Sequence, residues 1–286
     1  MRIFSKIRWI ALLPIILLTL LTTPKAVDTD TAALLSQKVY VMEQALVMGQ
    51  GVTTDGEYFY TSGAVTALNL QLLGKIDASD MTVVDKKINP LPGQCRKRGN
   101  DHIGGISYYN GKIYASVEGG DVCKACIVVF DCETLEPTGE IYDLPNELYD
   151  DGIPWLAVDN ETGLLYASKW SHADTLHVYD VNNGMRPVRD IALTGIGELD
   201  RIQGGEFCGG TLYLSQDTKD SGNIKRILKA DIATGEISLC AERDVGGEKT
   251  EAEGMTFFKK DGKTSLYVLD YNKLVGIFMR EYEINR

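Results

Sequence analysis

The sequence predicts an all-β fold of five four-stranded antiparallel blades, set in a ring that an N-terminal strand closes. Three observations carry this. The stretch Leu212-Tyr213-Leu214-Ser215 has close copies at Phe59 to Ser62, Ile113 to Ser116, Leu165 to Ser168 and Leu266 to Leu269, so that tyrosines recur at steps of 54, 52, 47 and 54 residues. A hairpin signal precedes each copy: Asp55-Gly56, Asn110-Gly111, Asn160-Glu161-Thr162-Gly163, Gly209-Gly210 and Asp261-Gly262. An Asp-led turn follows at Asp77, Asp131, Asp180 and Asp231, where the carboxylate can cap its own turn. Units of this length repeated radially are the signature of a five-bladed β-propeller.

The chain opens on Arg2, Lys6 and Arg8, followed by the apolar run Trp9 to Leu21. Thirteen apolar residues after a positive segment suit a signal peptide and are short for a membrane span. Residues 1–26 are therefore expected to be a signal peptide or an uncleaved signal anchor, and the protein secreted or extracytoplasmic. Residues 27–37 read as a spacer. Residues 38–48, rich in β-branched and aromatic side chains, read as the closing strand of a propeller spanning 38–286.

In the first repeat the strands fall, from the axis outward, at 51–54, 57–62, 68–76 and 81–88. The fifth repeat supplies three strands, near 255–258, 265–269 and 275–282, and ends before a fourth. The closing strand fills that place. Each Tyr shares a face with the Ser two residues on, and both are expected to pack between neighbouring blades.

A net charge of −11 over 286 residues argues against a nucleic-acid partner, which needs clustered positive charge. The chain has no Gly-x-Ser-x-Gly motif and no phosphate loop, and adjacent Ser171 and His172 with Asp174 do not make a triad.

The loops entering the innermost strands and those joining the second strand to the third share one face of a propeller, the mouth of its axis, which is the default ligand site. The inner strands open on Gln50-Gly51, Gly104-Gly105, Leu156-Ala157, Gln203-Gly204 and Glu253-Gly254, with small residues where strands crowd the axis. Gln50, His102, Trp155, Trp170, His172, Gln203 and Glu253 are thus candidate binders of a small ligand or a protein partner. Asp217, Glu253, Asp270 and Asn272 carry the oxygen donors that Ca²⁺ prefers, which gives a metal-assisted hydrolase as the alternative.

Two family resemblances bear on this face. Glu253-Gly254 resembles the calcium-dependent lactonase propellers, which implies a Ca²⁺ site and lactone hydrolysis. Gln50-Gly51-Val52-Thr53-Thr54-Asp55-Gly56 resembles the first-blade opening of the plant-type glutamine cyclotransferases, which are five-bladed. That likeness implies a pocket tryptophan at Trp155 and cyclotransferase-like activity, but the family's acid/base glutamate is replaced here by Asp101-His102-Ile103-Gly104-Gly105. His102 would be the general base in its stead.

Six cysteines in an exported chain invite disulfides. Cys208 and Cys240 belong to the inner and outer strands of one blade, about 14 Å apart at the usual strand spacing, too far to bond. Cys95, Cys123 and Cys126 meet on the mouth face of blade two, so Cys95 is expected to pair with Cys123 or Cys126. Zinc held by these three and His102 is the less favoured reading. Asn160-Glu161-Thr162 is a glycosylation sequon in a turn away from the mouth.

Overall fold

The computed structural model describes residues 32–65, 68–119, 124–196, 199–218, 224–245 and 249–284. Residues 1–26, where a signal segment is expected, and Cys123 lie outside the described residues. Among the described residues no helix is long and apolar enough to cross a membrane.

The fold is a five-bladed β-propeller. The chain first lays down β1 (Ala32–Tyr40) and a helical turn, α1 (Glu43–Leu46). Blade one is β2 (Val52–Thr54), β3 (Tyr58–Val65), β4 (Leu70–Asp77) and β5 (Val83–Ile88). A short helix, α2 (Gly93–Lys97), leads to blade two, built from β6 (His102–Tyr109), β7 (Lys112–Glu118), β8 (Cys126–Asp131) and β9 (Pro137–Asp143). Blade three is β10 (Trp155–Asp159), β11 (Leu164–Ser168), β12 (Thr175–Asp180) and β13 (Arg186–Ala192).

The chain then runs through β14 (Thr194–Gly195) into blade four, β15 (Ile202–Cys208), β16 (Thr211–Gln216), β17 (Ile224–Ala230) and β18 (Glu236–Asp244). Blade five has β19 (Thr250–Lys260), β20 (Lys263–Asn272) and β21 (Gly276–Ile284). Its outer strand is β1, antiparallel to β21 from Ala32 opposite Ile284 to Tyr40 opposite Ile277. The closing strand therefore spans 32–40 instead of 38–48, and part of the expected spacer belongs to it. Met42 takes φ 55°, and Val47 and Met48 are buried in the core between blades five and one.

The turns form as their residues dictate. Asp55 accepts hydrogen bonds from the N–H groups of Glu57 and Tyr58 beside Gly56 at φ 93°. Asp77, Asp131, Asp180 and Asp231 each accept from the N–H two residues on. The tyrosines fill the spaces between blades: Tyr60 stacks on Tyr108, and Tyr166, Tyr213 and Tyr267 meet Phe207, Phe257 and Phe59 with ring centroids about 5 Å apart. Ser62 Oγ donates to the Gly104 carbonyl of the next blade.

The inner strands β2, β6, β10, β15 and β19 touch in sequence around the axis, and β6 also meets β15 across it. Such closeness requires glycine. A Cβ on Gly254 would lie 2.7 Å from Gly51 Cα, and one on Gly51 would lie 2.7 Å from the Ile106 nitrogen. The Gly254 N–H instead donates to the Gln50 carbonyl at 2.7 Å. The glycines thus pinch the axis, with a polar layer on either side of them.

Candidate ligand site at the mouth of the axis

On the mouth side of the pinch, four inner strands carry polar residues at or near their start, Gln50, His102, Gln203 and Glu253. Gln50 and Gln203 are half-buried, as is His102, whose Nε2 lies 3.1 Å from Gln50 Oε1. His102 stands opposite Glu118 in the β6–β7 ladder. Burial raises the Glu118 carboxyl above the ordinary range although the imidazole charge opposes this, and Oε2 accepts the Ile153 N–H at 2.8 Å.

Glu253 is 1% exposed, and its Oε2 has no hydrogen-bond partner among the described residues. Burial first, then the charges of Glu251, Asp217 and Asp270, push its carboxyl well above the ordinary range against the pull of Arg201.

The other carboxylates expected to bind calcium are engaged by cations of this chain. Asp217 is paired with Arg201 and Lys225, and its Oδ1 also accepts the Ala252 N–H at 3.2 Å. Asp270 is wholly buried and paired with both Arg243 and Arg280. Burial works to raise its pKa, yet the two guanidinium groups hold it below the ordinary value. Asn272 turns its oxygen to the N–H groups of Leu274 and Val275 and its amide to Thr250. Among the described residues no three His, Cys, Asp or Glu side chains are grouped to hold a metal ion. Of the expected oxygen donors, Asp217, Asp270 and Asn272 are thus engaged by other groups of this chain, whereas Glu253 Oε2 is not.

Trp155 is placed differently from the expectation. It is wholly buried between blades three and four, its Nε1 donating to Ser168 Oγ at 3.0 Å, and a Cβ on Gly205 would come within 2.5 Å of its ring. It is a core residue, not a wall of the mouth. Trp170 is half-buried with the Arg201 guanidinium 4.9 Å from its ring centroid. His172 is exposed, at φ 50°, and its N–H donates to Asp200. Asn160 is exposed in the β10–β11 turn.

Cys95 on α2 and Cys126 on β8 do come together, but as buried free thiols rather than the expected disulfide. The neighbouring Cys126 thiol lowers the Cys95 pKa against its burial, with Arg98 adding to the effect, while the Cys126 thiol donates to Asn100 Oδ1. Of the expected zinc ligands, His102 is turned to Gln50 at the axis.

Glu206 was not singled out from sequence. It lies in β15 beyond the pinch, where its Oε2 accepts from Thr53 of blade one and Thr256 of blade five at 3.4 and 3.2 Å. Burial raises its carboxyl to about 7. The signal was available: Thr53, Glu206 and Thr256 each stand two residues after an axial glycine.

No family model and no curated protein matches the chain. Among solved structures it is similar to the Malassezia sympodialis allergen Mala s 1, at 8% identity and a TM-score of 0.56, over 88% of this chain and 97% of that one. An exo-1,5-α-L-arabinanase from a bovine ruminal metagenomic library aligns at 13% identity and a TM-score of 0.52, covering 84% and 94%. A DUF4623 family protein from Bacteroides eggerthii aligns at 12% and 0.50, covering 92% and 78%. These likenesses establish the propeller fold.

Proposed function

We propose that this propeller binds a small polar molecule at the mouth of its axis. The observation that carries the reading is the buried Glu253 carboxyl, whose Oε2 has no partner among the described residues at the same end of the inner ring as Gln50, His102 and Gln203. A buried polar atom of this kind loses free energy unless a partner reaches it, and native proteins leave few of them. The glycine pinch makes a floor, so a molecule entering from the mouth stops there. The N-terminal apolar run favours export, which would put the ligand outside the cytoplasm.

The test is a small-molecule screen read by thermal shift on wild type, Gln203→Ala, His102→Ala and an exposed control, Lys260→Ala. Ligands whose stabilisation is lost in the two mouth variants and kept in the control support the reading. Ligands indifferent to all three substitutions refute it.

A hydrolase acting at the same mouth is the second reading, favoured by His102 standing opposite Glu118. Gln50 would orient the imidazole as a general base, with the Glu118 carboxyl beside it across the ladder. Hydrolysis of simple lactones or esters that disappears in His102→Gln and persists in Gln203→Ala would favour the enzyme. A chelator should leave that hydrolysis unchanged, because Asp217 and Asp270 are already neutralised.

A further inference from the structure

We infer that the ligand group reaching deepest into the mouth is an uncharged hydroxyl, held at the junction of blades four and five by Glu253 with Ser215 as its second partner. This rests on the mouth being a binding site and names the chemistry that it accepts.

The first support is where unpartnered atoms fall. Ser215 Oγ and Glu253 Oε2 are both buried without a hydrogen-bond partner among the described residues. The equivalent serines of blades one and two donate to the carbonyls of Gly104 and Gly105, and that of blade three accepts from Trp155. Ser215 departs from this pattern. It lies opposite Gly204 in the β15–β16 ladder, and a Cβ on Gly204 would lie 2.8 Å from Gly254 Cα. Asp217, two residues on and beyond the end of β16, reaches Ala252. Ser215 and Glu253 therefore belong to the same inter-blade junction. A hydroxyl is both donor and acceptor, so it can satisfy a carboxyl group and a serine at once.

The second support is charge. A cationic ligand would add a positive charge where Asp217 and Asp270 are each already paired with two cations, Arg201 with Lys225 and Arg243 with Arg280. An anionic one would have to lie against the buried Glu253 carboxyl, which no cation pairs with among the described residues. A neutral group incurs neither penalty.

The experiment uses three probes on one skeleton, glucose, glucosamine and glucuronate, with calorimetric titration of the full chain. Glucose should bind and the charged probes should not. Glu253→Ala and Ser215→Ala should each weaken glucose about tenfold, the size of one lost hydrogen bond, whereas Glu253→Gln, neutral and similar in shape, should stay within about threefold. Preference for glucosamine, abolished by Glu253→Gln, would overturn the inference and leave the mouth reading standing, as would preference for glucuronate lost in Gln203→Ala. Binding of any probe that is indifferent to Gln203→Ala, His102→Ala and Glu253→Ala would overturn both. Absence of heat with all three probes would overturn the hydroxyl class alone, because the broader screen tests the mouth independently.

Discussion

The imidazole Nε2 of His102 and the side-chain oxygen of Gln50 lie 3.1 Å apart, which ties the mouth ends of blades two and one together. With the amide oxygen as acceptor, Nε2 carries the proton and Nδ1 is left as the basic nitrogen. Nitrogen-15 spectra of neutral His102 should therefore report the Nε2–H tautomer in wild type and a mixture in Gln50→Ala. A mixture in the wild type would mean that this bond does not orient the ring.

Asp270 should be among the most sensitive positions in the chain. Asp270→Ala leaves Arg243 and Arg280 buried without their shared carboxylate, and removal of one partner from a buried pair destabilises by about 3–5 kcal/mol. Its folded pKa lies below the unfolded one, so its contribution is complete above the unfolded carboxylate range and is lost as pH falls through the folded value. Urea unfolding at neutral pH should give the loss. Acid titration should show less pH dependence in the variant than in wild type.

Glu206 has the opposite sign. Its carboxyl is raised from 4.5 to about 7, so the folded state holds a proton that the unfolded chain releases, and stability falls as pH rises between those values. The fall should be about 3 kcal/mol, from the size of the shift. Glu206→Gln should abolish this decline. A slope unchanged in the variant would show that Glu206 ionises freely.

Gly254→Ala tests the pinch. The added methyl meets backbone 2.6 to 2.8 Å away in blade one, with no flexible side chain to yield. Overpacking of this kind costs about 1–3 kcal/mol. Gly262→Ala is a useful contrast, because its Cβ meets open space and only its φ of 81° opposes the change.

Much of the fold was legible because it rests on local chemistry. Asp-led turns, hairpin glycines and the Tyr ladder each announce themselves within a few residues, and their periodicity gives the blade count. The closing strand starts six residues earlier than expected because Val27 to Gln37 reads as a polar, Thr-rich spacer in which Ala32 to Leu35 is only a short apolar core, and an outer strand with one exposed face tolerates that mixture. The mouth was less legible. Asp217 and Asp270 look like metal ligands in sequence because the cations that neutralise them, Lys225, Arg243 and Arg280, come from the middle and outer strands of two blades. Trp155 looked like a recognition aromatic because nothing local shows that Gly205, 50 residues on, makes room for its ring.

The pairing of β1 with β21 bears on how the chain could be rewired. Ala32 stands directly opposite Ile284 in an antiparallel ladder, so a short turn joining those two positions would make an ordinary hairpin. The ring would then be continuous, and new ends could be opened in an exposed turn such as that at Asn160 without unpairing a strand. Such a circular permutant would leave blade five with all four strands in one uninterrupted run, freeing its assembly from the wait for two distant ends to meet.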